Sequence, residues 1–162
     1  MKNFFRKVAF GFKPEEKAPS DPLMWAQKQV ETIPELNWKG KYIYSEKEMR
    51  KYWIKQRVTE ETTFKKKYKN DPEGLRIAEK KLEDDSGKKF WPNNEICMRH
   101  AEAVRSNSPV LAKLWYFWTN HFTISDAQSL PSFSTGAYQR EFIRANMDKT
   151  FETMAIEGTI AW

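Results

Sequence analysis

Two histidines in the whole chain leave a short list of residues able to do acid–base chemistry. His121 follows Asn120 at the end of the aromatic run "WYFWTNHFTIS", and histidine is the residue type most often used for proton transfer, so it is a candidate general acid or base. Further on, "YQREFIRANMDKTF" sets Arg140 and Arg144 four residues apart, one helical turn above each other. Two stacked guanidiniums can clamp a phosphate, sulfate or carboxylate. Glu141 would orient one of them and is the second candidate catalytic residue; Asn120, Arg140 and Arg144 are the candidate ligand-binding residues. Ser125 and Asp126 would complete the polar cluster. Such a set suits a hydrolase acting on an anionic or sugar-like substrate. The same residues also fit a plain structural role. His121 can be a core histidine bonded to Asn120, Glu141 or a backbone carbonyl. Arg140, Glu141 and Arg144 can form an ion-pair network that locks helices together.

Other chemistries find no grammar here. His100-Ala101-Glu102 matches the H-x-E of zinc deaminases, but that site needs a downstream P-C-x-x-C, and the sole cysteine, Cys97, lies upstream. H-E-x-x-H, G-x-S-x-G, the P-loop and G-x-G-x-x-G are all missing from the sequence. No cofactor and no metal are therefore expected, and one cysteine allows no intrachain disulfide.

The elements that must position these residues read as helices. The chain has 162 residues, about one domain, with 15% aromatic and 31% charged residues. Its net charge of +6 comes from the stretch between Lys39 and Lys89, where 16 basic residues face 10 acidic ones. Charges of both signs alternate there, as in "SEKEMRKYWIKQRVTEE", the pattern of a solvated helix with i,i+4 pairs. Nucleic-acid binding through Lys65–Lys69 is the other reading of the same basic stretch. The amino terminus, "MKNFFRKVAFGF", has a basic start, but Arg6 and Lys7 break its apolar run before Lys13-Pro14. That is short of a signal peptide, so a cytoplasmic location is the expectation.

Asp21-Pro22, Ser45 with Glu48, Asp71-Pro72 and Ser108-Pro109 are helix starts. Leu111, Leu114, Trp115, Trp118 and Phe122 then form an apolar stripe, and Ile96, His100, Ala103 and Val104 form another. "SDAQSLPSFSTG" reads as a loop before a last helix from about Ala137 to Glu157, with Gly158 as its C-cap. The fold class is mainly α, a multi-helix bundle with a charged, protruding hairpin in its middle. Residues 1–38 form a helical amino-terminal segment, 39–90 a charged helical insertion, and 91–162 an aromatic-rich helical core, together one incomplete domain.

"KLWYFWTNHFTIS", a Ser- and Pro-containing loop, then "AYQREFIRANMDKTF" resembles the DUF1800 family of uncharacterised bacterial proteins. That family has a W-x-N-H-F segment followed by a tyrosine and an R-E-x-I-R helix. Asn120, His121, Phe122, Tyr138, Arg140, Glu141 and Arg144 match it, and Phe10-Gly11 resembles its opening. Ala145-Asn146 stands where relatives read Pro-His, and Glu157-Gly158-Thr159-Ile160 where they read a His-Pro-Ala-Met-like segment. Relatives run to several hundred residues, often look exported, and are often encoded beside a sulfatase-like partner. The resemblance thus implies an amino-terminal part of a longer chain, with no established activity.

Overall fold

The computed structural model describes residues 2–11, 15–38, 43–86, 91–124 and 129–160. Helices α1 (Lys2–Val8) and α2 (Pro22–Lys28) open the chain, and an extended connector then leads to α3 (Glu46–Trp53). α3 runs on through a π-helical stretch, Ile54–Glu60, into α4 (Glu61–Lys67), and α5 (Pro72–Ser86) turns back beside it. α6 (Trp91–Arg105), α7 (Pro109–His121), α8 (Ser129–Tyr138) and α9 (Phe151–Ile160) complete the chain. No strand occurs among the described residues, so the class is mainly α, as the periodicity predicts. No described helix is long and apolar enough to cross a membrane.

The helix starts follow local chemistry. Asp21 Oδ1 accepts from the Leu23 and Met24 N–H groups, with Pro22 at the first helical position. Ser45 and Glu48 form a reciprocal capping box. Asp71 Oδ1 accepts from the Gly74 N–H and starts α5. α7 departs from this pattern: Pro109 opens it, but Ser108 makes no side-chain cap. Instead Gln29 reaches across from the end of α2, and its Oε1 accepts from the Val110 N–H at 3.1 Å.

α7 is the core helix. Leu111, Trp115 and Thr119 recur at four-residue steps on its buried face. Around Trp115 pack Tyr138 and Ile143, with Leu36, Trp38, Phe142 and Met147 closing the cluster. A second cluster joins Met49 of α3 to Ala137 of α8, with Tyr44, Tyr52 and Trp53 around it. α3 is therefore part of the core, and the charged segment leaves it only from Ile54 onward. Ile54, Val58 and Ile77 are each more than half exposed.

Two expectations change. The segment predicted to be one helix from Ala137 to Glu157 is broken. α8 begins at Ser129, inside the stretch read as a loop, because Pro131 falls in its first turn, where proline is tolerated. The chain then passes through a π turn (Gln139–Ile143) and a 3-10 turn (Arg144–Asn146). α9 restarts after Thr150, whose Oγ1 accepts from the Thr153 N–H. Gly158 lies within α9 instead of capping it. Its carbonyl accepts from the Tyr138 hydroxyl at 2.9 Å, and a Cβ there would sit 3.0 Å from that oxygen. The second change concerns α6, whose predicted apolar stripe faces outward, Ile96 and Val104 being exposed. Its inner face carries Glu95 and Arg99, which have polar and aromatic partners on α7 and the π turn.

Candidate functional site

The π turn at Gln139–Ile143 sets the geometry of the Arg-Glu-x-x-Arg segment. Its first carbonyl, that of Gln139, accepts the Arg144 N–H across five residues and also the Trp115 indole N–H at 2.9 Å. The wider turn is thereby pinned to the centre of α7. From it and the 3-10 turn that follows, the three charged side chains leave toward different partners.

Arg140 reaches α6. Its Nε lies 3.0 Å from Glu95 Oε2, and its Nη2 lies 2.9 Å from Glu95 Oε1, a two-point carboxylate grip. Nη2 also donates to the Tyr44 carbonyl at 2.6 Å, just ahead of α3. The arginine side chain is 13% exposed and that of Glu95 14%, so the pair is largely screened from water. Glu141 lies 3.6 Å from Arg140 Nη1 and accepts from the Glu46 N–H at 3.1 Å. It thus places a carboxylate at the N-terminus of α3, where the helix dipole favours negative charge.

Arg144 turns the other way. It is buried, donates to the Pro34 carbonyl at 2.6 Å, and lies 5.6 Å from the centre of the Trp115 ring. Burial lowers its pKa from the ordinary arginine value, and the charge of Glu102 opposes that shift. The two arginines are therefore not a stacked clamp. Each is already held by protein oxygens.

His121 stands apart from both. It is exposed at the last turn of α7, on the side away from Leu111, Trp115 and Thr119. Its ring stacks on Phe117 at 6.0 Å with a 15° tilt and makes edge contacts with Trp118, Phe122 and Phe151. It makes no hydrogen bond among the described residues. Asn120 is exposed beside it. The contacts of His121 share no residue with those of Arg140, Glu141 or Arg144. The core-histidine reading of His121 is thus corrected, because a residue six positions after Trp115 lies about 120° round the helix from it, off the buried face. A cleft gathering His121, Arg140 and Arg144 does not form either. Ser125 and Asp126 lie outside the described residues.

A further match sits at the amino terminus. Gly11 has φ +103°, a conformation that favours glycine, and follows α1 where its carbonyls need partners. Lys113 of α7 supplies them, donating to the Arg6 and Ala9 carbonyls at 2.6 and 3.1 Å. Phe10 packs edge-on against Tyr116. Both Phe10-Gly11 and the Arg-Glu-x-x-Arg segment thus serve contacts with α7.

A family model described as "Protein of unknown function (DUF1800)" matches residues 3–159. The chain belongs to the DUF1800 family. No curated protein and no solved structure matches it. Sequence reasoning about this DUF1800 chain missed Glu95 and Gly136. Glu95 lies 45 residues from Arg140, beyond any local pattern. Gly136 is needed because a Cβ there would overlap Cγ and Cδ of Glu95. Gly136→Ala is expected to lower stability by about 1–3 kcal/mol through this clash. Urea midpoints of Gly136→Ala, Glu95→Ala and the double variant check it. The alanine effect should largely disappear once Glu95 is truncated, and an equal effect in both backgrounds would refute the overlap as its cause.

Proposed function

We propose that this DUF1800 chain is a helical module whose Arg140-Glu141-x-x-Arg144 motif acts as an internal clamp, within the amino-terminal part of a longer protein. The observation that carries this reading is the engagement of Arg140 by Glu95 and the Tyr44 carbonyl. One side chain joins α6, the approach to α3 and the π turn, while Glu141 caps α3. An exogenous anion would have to displace Glu95. An anion site predicts that phosphate raises the melting temperature of the wild type but not of Arg140→Ala, since a ligand bound only to the folded state stabilises it. The clamp predicts no phosphate-specific rise over chloride at equal ionic strength. Thermal melts across a phosphate series distinguish the two.

The Asn120-His121 motif takes a different part in the same proposal. Phe117 and Phe151, which flank His121, are 55% and 57% exposed, an apolar surface that argues for a covering partner. Further residues of the longer protein would pack there, with His121 and Asn120 supplying polar contacts at the edge. The isolated chain is then expected to self-associate and to bind an apolar dye. Phe117→Ser with Phe151→Ser should reduce both, as read by light scattering and dye fluorescence. A monomeric, dye-silent wild type would contradict this face as a contact surface.

A further inference from the structure

The second arginine of the motif is a buried cation with an incomplete shell. Arg144 is 6% exposed, yet the single hydrogen bond of its guanidinium to a described residue is the one to the Pro34 carbonyl. No carboxylate comes within ion-pair distance of it among the described residues, and a buried guanidinium without charge balance is costly. Beside it lies a cavity of about 10 Å³, the size that admits one water molecule. Arg144, Glu102 and Ser106 supply the polar part of its lining, and Leu111, Ala112 and Trp115 the apolar part. Ser106 Oγ already accepts from the Ser108 N–H at 3.0 Å, so its own O–H remains to be donated.

These groups complement one another through a single intermediary. Arg144 has spare N–H donors, Glu102 is an acceptor, and Ser106 is a donor. A water can accept from Arg144 and donate to Glu102, while Ser106 fixes its position. An anion in the same cavity would meet the Glu102 carboxylate, so the lining selects water over chloride. We infer that the cavity holds one bound water joining the Arg144 guanidinium to the Glu102 carboxylate, making Glu102 the counter-charge of the second arginine. Glu95 and Glu102 are seven residues apart on α6, two turns along one face. α6 thereby presents a carboxylate to each arginine, one directly and one through water. This deepens the clamp reading but stands on its own cavity, so Arg140–Glu95 coupling and Arg144–Glu102 coupling can fail independently.

The test combines urea denaturation with a high-resolution crystal structure. Glu102→Gln is expected to lower the folding equilibrium constant roughly tenfold or more in the wild type. In an Arg144→Met background the same change should have little effect. Equal effects in both backgrounds, or none in the wild type, would overturn the pairing. In the crystal, density for one water within hydrogen-bond distance of both Arg144 and Glu102 is the expected result, and it can be read even if Arg144→Met does not fold. A dry cavity, a chloride, or a direct ion pair that closes the cavity would overturn the water bridge.

Discussion

Arg140→Ala is expected to destabilise the chain by about 3–5 kcal/mol, the largest loss of any single charged residue here. The size follows from what remains, since Glu95 would keep its carboxylate in a site only 14% exposed, with its guanidinium partner gone. The Tyr44 carbonyl would lose the arginine's hydrogen bond at the same time. Arg140→Lys should recover only part of the loss, because a lysine ammonium cannot grip both Glu95 oxygens and reach Tyr44 together. Urea unfolding followed by helix content reads all three proteins. A loss below about 1 kcal/mol for Arg140→Ala, the range of an exposed ion pair, would show that the pair is not part of the core.

Trp115→Ala is the second large effect, at about 3–5 kcal/mol. Trp115 is 2% exposed and sits between Trp38, the Arg144 guanidinium and the Tyr138–Ile143 cluster. Its removal leaves a cavity and also frees the indole bond to the Gln139 carbonyl. Trp115→Phe separates the two contributions. That carbonyl still accepts from the Arg144 N–H, so the phenylalanine variant should lose about 1–2 kcal/mol, mostly through lost packing and the neutral hydrogen bond. Denaturant midpoints of the pair check it, and equal losses for Ala and Phe would mean that the indole N–H dominates. Both effects converge on the π turn, which carries Arg140 and Glu141 of the family motif and is hydrogen-bonded to α7 through that indole.

The parts of the fold legible in the sequence are those set by neighbours a few residues apart. The Ser45–Glu48 capping box, Asp21-Pro22 and Asp71 at α5 all work as their local spacing predicts. The stripe of α7 marks a buried face correctly at Leu111 and Trp115, though Leu114 is left at its edge. What spacing could not supply is the set of partners that lie far along the chain. Gln29 caps α7, Glu141 caps α3, and Glu95 takes Arg140, each across a long stretch of sequence. The π turn was also hidden, because the Arg140–Arg144 interval looks the same in sequence whether the backbone turns as α or as π. The two guanidiniums serve separate sites instead of one anion, because Glu95 and the Tyr44 carbonyl hold Arg140 and the Pro34 carbonyl holds Arg144.

The candidate site was half legible for the same reason. Of the ion-pair network that the residue types of Arg140, Glu141 and Arg144 allow, the Arg140–Glu141 contact forms at 3.6 Å, whereas Arg144 bonds to the Pro34 carbonyl instead. The place of His121 was ambiguous because aromatic residues surround it on every helical face in "WYFWTNHF". Only the buried series Leu111, Trp115 and Thr119 fixes which side turns outward, and His121 with Phe117 falls on that outer side.

The central claim is that the family motif clamps the helices through the largely water-screened Arg140–Glu95 pair. A double-mutant cycle on these two residues, with Arg140→Met, Glu95→Gln and the double variant unfolded in urea, tests it most directly. The clamp predicts a coupling of about 2–3 kcal/mol between them, with the double variant more stable than the sum of single losses allows. Additive losses, with coupling within about 0.5 kcal/mol of zero, would contradict it.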